Sequence, residues 1–199
     1  PLGGQAVAAC LPRKDQRRIV EIRLGDERER APDVGGKGIG RLGDLINGEH
    51  LALRERAGLF DLSHMGEIRV EGPEAAAFLN TALAGNLGVI AVGRAKYSLI
   101  LDEDGGIIDD LITYRRDEHK YLVVPNAGNA PVVAAAFAER SQGFDVTVTD
   151  ESAQTSLIAV QGPKSVEILH ALVPAEQHGI VSDMKYYSAD EVDVAGIRV

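Results

Sequence analysis

The densest chemistry in the chain lies in Gly105-Gly106-Ile107-Ile108-Asp109-Asp110-Leu111-Ile112-Thr113-Tyr114, where two adjacent acids interrupt an apolar, β-prone run. The two glycines follow Asp102, Glu103 and Asp104, a composition that marks a turn feeding a strand. Side chains on a strand alternate between faces. That alternation places Ile107, Asp109, Leu111 and Thr113 on one face and Ile108, Asp110, Ile112 and Tyr114 on the other. Asp110 is then the one charge on its face, among two isoleucines and a tyrosine. A carboxylate so placed must be paired, neutralised or given to a ligand. Asp109, on the mixed face with Thr113, is expected to be solvated or to stabilise the turn.

Other chemistry-bearing residues cluster around the same stretch. Tyr97 and Tyr114 lie on strands that pair across the Asp104-Gly105-Gly106 turn. On one face with Asp110 they would flank an acid with aromatic plates, a setting that suits a flat heteroaromatic ligand with hydrogen-bonding edges. Asn126, after Tyr121-Leu122-Val123-Val124-Pro125, either closes a turn or points into a pocket, and the turn is the favoured reading. Met65 suits an adaptable apolar wall. Asp61, Ser63 and His64 are sequence neighbours with no Gly-x-Ser-x-Gly elbow, so they read as a loop in which Asp61 and Ser63 satisfy backbone groups rather than a nucleophilic triad. Gly38-Ile39-Gly40-Arg41-Leu42-Gly43 matches a dinucleotide fingerprint, but Glu29-Arg30-Ala31-Pro32-Asp33 before it is no buried strand. A chance match in a flexible loop is expected there.

The elements that must position these residues follow from periodicity and punctuation. A short helix is expected over 50–57, a strand over 66–71, a helix from Pro73 to about Leu83, and strands over 97–102, 107–114 and 120–124. An alanine-rich helix over 130–140, a strand over 145–149, a strand over 156–160 and a helix to Leu172 complete the series. Residues 185–199 read as strand-like, stopping at Ile197-Arg198-Val199 in mid-element. The order β-α-β-β-β-α-β over 66–150 predicts an α+β unit of helices packed on an antiparallel sheet. Residues 1–47 are charge-dense and weakly periodic, with a short strand possible over 19–24.

Composition narrows the function classes. The chain has 199 residues, 45% apolar and 26% charged, enough for one large or two small cores. A formal charge of −9 argues against nucleic acid and anionic membranes, which call for surplus Lys and Arg. A single cysteine, Cys10, excludes an intramolecular disulfide and fits a reducing compartment, and no Cys or His pattern offers a metal site. No apolar run approaches a membrane span and no secretory signal is visible. A cytoplasmic protein is the expectation.

Six segments, in order, resemble the aminomethyltransferase (T-protein) family of the glycine cleavage system. They are Ala57-Gly58-Leu59-Phe60-Asp61-Leu62-Ser63-His64-Met65-Gly66-Glu67, Lys96-Tyr97-Ser98, Gly105 to Tyr114, Val123-Val124-Pro125-Asn126-Ala127, Ala159-Val160-Gln161-Gly162-Pro163 and Tyr186-Tyr187-Ser188. The resemblance covers about residues 49–199, roughly the first half of a typical member. It implies an α+β fold of the T-protein kind without its C-terminal barrel domain. Residues 48–65 and 151–199 would belong to a first, incomplete domain, 66–150 to a middle domain carrying the folate-site acid, and 1–47 to an atypical start. The implied activity moves the methylene of an aminomethyl-lipoyl carrier (H-protein) onto tetrahydrofolate with release of ammonia. The implied essential acid is Asp110, and the implied folate pocket is Met65, Tyr97, Tyr114, Asn126 and Tyr186. The family's Thr-Gly-Tyr-Thr-Gly-Glu-like segment and later parts that close the folate site are not among these residues, so an incomplete pocket is expected. Two alternatives share the fold: a folate-binding regulator, whose Lys-Gly-Cys-Tyr-x-Gly-Gln-Glu-like motif has no match here, and the folate domain of sarcosine or dimethylglycine oxidoreductases.

Overall fold

The computed structural model describes residues 6–12 and 38–199. The strand expected over 19–24 lies outside the described residues. Strand β1 (Ala6–Pro12) is followed by helix α1 (Gly38–Glu55), β2 (Gly58–Asp61), β3 (Ile68–Glu71) and α2 (Ala75–Ala82). Then come β4 (Arg94–Leu101), β5 (Ile107–Asp117), β6 (Lys120–Val124), α3 (Ala130–Arg140), β7 (Thr147–Asp150) and β8 (Thr155–Gln161). Helices α4 (Ser165–His170) and α5 (His178–Asp183) and the short strands β9 (Asp193–Val194) and β10 (Ile197–Arg198) end the chain.

The architecture is α+β, with every described strand pair antiparallel. Five strands form one sheet in the order β4-β5-β6-β3-β7, and three form another in the order β1-β8-β2. The run β3-α2-β4-β5-β6-α3-β7 reproduces the expected β-α-β-β-β-α-β order. Its sheet buries one face under α2 and α3, where Ile68, Val70, Ile100, Leu111, Tyr121 and Val123 meet Phe78, Leu79, Val133 and Phe137. Burial at period two on the strands and near 3.6 on the helices explains why these residues form these elements. A second cluster, Leu169, Val173, Val181, Val192 and Val194, lies under α4, α5 and the β9–β10 hairpin.

Several expectations change. The helix expected over 50–57 starts at Gly38, so the Gly38–Gly43 run lies in helix rather than in a loop. Propensity alone missed it, because glycines weigh against helix. Gly58–Asp61 is a strand because Leu59 and Phe60 pair with Val160 and Ala159. The helix expected to reach Leu172 ends at His170. Residues 185–199 are not one strand. They hold a loop and a hairpin turned at Ala195-Gly196, both at positive φ, with Val199 and Val192 exchanging backbone hydrogen bonds.

A repeated device links the two sheets to their helices. Glu71-Gly72-Pro73-Glu74 leads β3 into α2, and Gln161-Gly162-Pro163-Lys164 leads β8 into α4. In each the glycine carbonyl accepts the N–H three residues on, at 3.1 Å. Each glycine has positive φ, +143° at Gly72 and +123° at Gly162. A Cβ at Gly162 would stand 2.7 Å from the Arg56 carbonyl oxygen and from Ala57 Cα. Backbone on that side cannot yield as a flexible side chain could. Gly162→Ala is therefore expected to lower the unfolding free energy by about 2–4 kcal/mol, combining φ strain with backbone overlap. A urea titration reads the loss as a lower midpoint at unchanged slope.

Candidate functional site

The acid pair sits on β5 directly after a tight turn. Asp102 Oδ1 accepts the backbone N–H of Asp104 at 3.0 Å and of Gly106 at 2.6 Å, and Gly105 adopts φ +82°. This aspartate-built turn needs glycine at the left-handed position. The register then slips: Ile100 pairs with Asp109 and Leu101 with Ile107, leaving Ile108 as a bulge. Ile107 is consequently exposed, while Ile108 packs against the core cluster. Strict alternation therefore fails at Ile107 and Ile108 and holds from Asp109 to Tyr114, before a second register shift between Arg115 and Asp117.

Asp109 faces inward, contrary to the expectation of a solvated acid. It is 3% exposed. Its Oδ2 accepts the Asn126 backbone N–H at 2.9 Å, and its Oδ1 accepts Asn126 Nδ2 at 2.9 Å and Asn129 Nδ2 at 2.8 Å. A buried carboxylate survives on such donors, and these come from 17 and 20 residues away, where strand patterning cannot see them.

Asp110 faces the opposite, open side of the sheet and is exposed. Its neighbour across β4 is Leu99, and the next pairs on that face are Tyr97 with Ile112 and Ala95 with Tyr114. Asp110, Tyr97 and Tyr114 thus share one face. From the other side of β5, Asn126 Nδ2 donates to the Asp110 carbonyl at 2.8 Å and lies 3.2 Å from Asp110 Oδ1. The Asn126 backbone also closes a turn, accepting the N–H of Asn129 and Ala130. The favoured turn reading of this residue therefore holds.

Met65 is half-buried, and its neighbour Gly66 donates to the Pro125 carbonyl at 3.1 Å, which brings the Phe60–Gly66 loop to the residue before Asn126. There Ser63 N–H donates to Asp61 Oδ1 and Ser63 Oγ accepts the Leu157 N–H of β8, so Asp61 and Ser63 satisfy backbone groups, one of them on a distant strand. Tyr186 is 81% exposed. Its ring stacks at a tilt on Tyr187, 4.2 Å between centroids, and Tyr187 meets Tyr97 edge-on at 5.8 Å. Sequence reasoning did not select Tyr187 for the site. Its signal was the Tyr186-Tyr187 pair, in which the second residue adopts φ +54° and gives its carbonyl to the Ala95 N–H on β4. That docking brings the segment before the C-terminal hairpin to the aromatic side of the sheet.

Two tyrosines of the cluster hold their protons more tightly than usual. Burial, aided by Tyr97, raises the Tyr114 hydroxyl above its ordinary value. A hydrogen bond with Tyr186 is the main cause pushing Tyr187 up to about 12. Beyond the aromatic cluster, Arg116 Nη2 meets Glu191 Oε1 at 2.7 Å, and this hydrogen bond holds the Glu191 carboxyl below the usual range. A cavity of about 450 Å³ lies elsewhere, among Thr81–Ala84, Leu101–Glu103 and Arg140. Its guanidinium already donates to the Ala82 and Leu101 carbonyls. Among the described residues no cluster could hold a metal ion, and no helix is long and apolar enough to cross a membrane.

An aminomethyltransferase from Corynebacterium aurimucosum is 58% identical over 141 residues, 71% of this chain and 38% of the relative. One from Streptomyces coelicolor is 54% identical over 149 residues, 75% of this chain and 39% of the relative. The chain thus spans about two fifths of the length of these curated relatives. The crystal structure of glycine cleavage system aminomethyltransferase T from Bartonella henselae superposes with a TM-score of 0.57 at 41% identity, covering 62% of this chain and 34% of that one. Heterotetrameric sarcosine oxidase from Corynebacterium sp. U-96, in complex with pyrrole 2-carboxylate, gives a TM-score of 0.55 at 18% identity over 78% of this chain and 76% of that one, a likeness of fold alone. The family model described as the GCVT N-terminal domain matches residues 39–199, and the chain belongs to that family.

Proposed function

We propose that the open face of the five-stranded sheet binds tetrahydrofolate, and that Asp110 serves aminomethyl transfer from a lipoyl-bearing carrier, the glycine cleavage H-protein. The observation that carries this reading is the register of β4 on β5, which sets Asp110, Tyr97 and Tyr114 on one accessible face. The residues suit the ligand. The tyrosine rings and Leu99 and Ile112 offer flat apolar surface, while Asp110 offers acceptors for the N–H edges of a pterin. Met65 and Tyr186 would border the pocket.

Bound tetrahydrofolate supplies the amine nitrogens that take up the methylene as ammonia leaves the carrier-bound aminomethyl group. Asp110 would hold the amine in place and counter the positive charge that grows at the transferring carbon. Asn126, donating toward Asp110, would keep that carboxylate aimed at the open face. We further propose that residues 66–150 act as the folate-site unit, with 48–65 and 151–199 belonging to a neighbouring unit. Calorimetric titration of the chain with tetrahydrofolate is expected to give one site per chain. Tyr114→Ala is expected to weaken binding roughly 10-fold, the loss of an aromatic contact worth about 1–1.5 kcal/mol. No heat of binding with the wild type would overturn the folate reading.

A further inference from the structure

We infer that Asp109 is a positioning residue that sets the Asn126 amide and, through it, the Asp110 carboxylate. The inference rests on the proposed folate reading for its functional consequence, but its physical basis is independent. Asp109 is buried, and among the described residues the hydrogen bonds that reach its carboxylate come from Asn126 and Asn129. Those two residues bracket the turn between β6 and α3, so the carboxylate ties β5 to that turn.

Hydrogen-bond stoichiometry gives the mechanism. The Asn126 Nδ2 carries two hydrogens and faces three acceptors: Asp109 Oδ1, the Asp110 carbonyl and Asp110 Oδ1. One hydrogen goes to Asp109, so the other is shared between the two Asp110 oxygens. This works only while Asp109 presents acceptors alone. In Asp109→Asn the new amide must place its NH₂ somewhere. Turned toward the Asn126 backbone N–H, it sets donor against donor. Turned the other way, it meets the Asn126 and Asn129 amides, which must flip to present their carbonyls. A flipped Asn126 then directs its oxygen at the Asp110 carbonyl and carboxylate, and acceptor opposes acceptor. The second arrangement breaks the contact that aims Asp110, and the first repels the Asn126 backbone N–H and displaces the residue whose amide makes that contact.

Asn129 provides the comparison that separates aiming from simple support. Its amide reaches Asp109 Oδ1 and is not among the groups that contact Asp110. Asn129→Ala therefore weakens the buried network without turning Asn126. The test follows the Asn126 side-chain NH₂ by nitrogen-15 NMR of the full chain, together with calorimetric affinity for tetrahydrofolate. In the wild type the Asn126 NH₂ is expected to exchange with water more slowly than that of exposed Asn86. In Asp109→Asn its resonances are expected to move and the protection to vanish, with affinity falling about 10-fold. In Asn129→Ala the Asn126 signals are expected to persist and affinity to stay within about twofold.

Unchanged Asn126 signals and affinity in Asp109→Asn would overturn the inference. So would equal losses of affinity in both variants with the Asn126 signals intact, since that marks general loosening. If Asp109→Asn does not fold, the wild type still decides: an Asn126 amide exchanging as fast as that of Asn86 contradicts the network. If the wild type binds no tetrahydrofolate, the folate reading fails, while the amide signals still judge whether Asp109 sets Asn126.

Discussion

On the proposed function, Asp110→Asn is expected to lower carrier-dependent formation of methylene-tetrahydrofolate by about 10²–10⁴-fold, the range for losing a positioned ionisable group at the reacting centre. The same variant is expected to unfold within about 0.5 kcal/mol of the wild type, because the side chain is exposed and its nearest donor, Asn126 Nδ2, is 3.2 Å away. The amide keeps the shape of the carboxylate and removes its charge, so the contrast isolates electrostatics from packing. Parallel progress curves under saturating carrier and folate read the rate, and urea unfolding reads stability. Equal rates would take Asp110 out of the chemistry.

Phe78→Ala is expected to do the reverse. Phe78 is fully buried and meets Phe137 edge-on at 5.4 Å and Phe144 at 5.8 Å. Removing its ring leaves a cavity between α2 and the sheet and is expected to cost about 3–5 kcal/mol. A domain of ordinary stability has roughly 5–15 kcal/mol in all, so this change consumes a large share of it. With a urea slope near 2–3 kcal/mol per molar, the midpoint should drop by about 1–2 M. Phe78 lies on the covered side of the sheet and Asp110 on the open side. The folded Phe78→Ala protein at low temperature should therefore keep the wild-type affinity for tetrahydrofolate. Loss of stability and loss of chemistry would thus separate across the two faces of one sheet.

The sequence carried the open face but not its inner support. Asp110, Tyr97 and Tyr114 fall at positions whose alternation and pairing can be read along a few residues, so their common face was legible. The bulge at Ile108 was not, since one extra residue inverts the pattern without any compositional mark. Asp109 looked like a solvated acid because its donors are distant in the chain. Alternation does put Leu111 and Thr113 beside it, and both are buried. Helix α1 was hidden by its glycines, and β2 by its short length, as its partner β8 lies about a hundred residues later. Tyr187 was passed over because its position depends on a positive φ and on docking at the edge of β4, features of the folded backbone rather than of residue type. The two strand-Gly-Pro-helix junctions could have been seen as a repeat: Val70-Glu71-Gly72-Pro73 and Val160-Gln161-Gly162-Pro163 differ at one position. Their shared φ and hydrogen bonding show that the likeness is physical.

The central claim is that the open face of the five-stranded sheet is the folate site. Chemical-shift mapping of the nitrogen-15-labelled chain during titration with tetrahydrofolate tests it most directly. The account predicts saturable shifts concentrated at Tyr97, Asp110, Tyr114 and Asn126, with the residues around Phe78 on the covered face unchanged. Saturable shifts confined to the cavity beside Arg140, or the absence of saturable shifts, would contradict it.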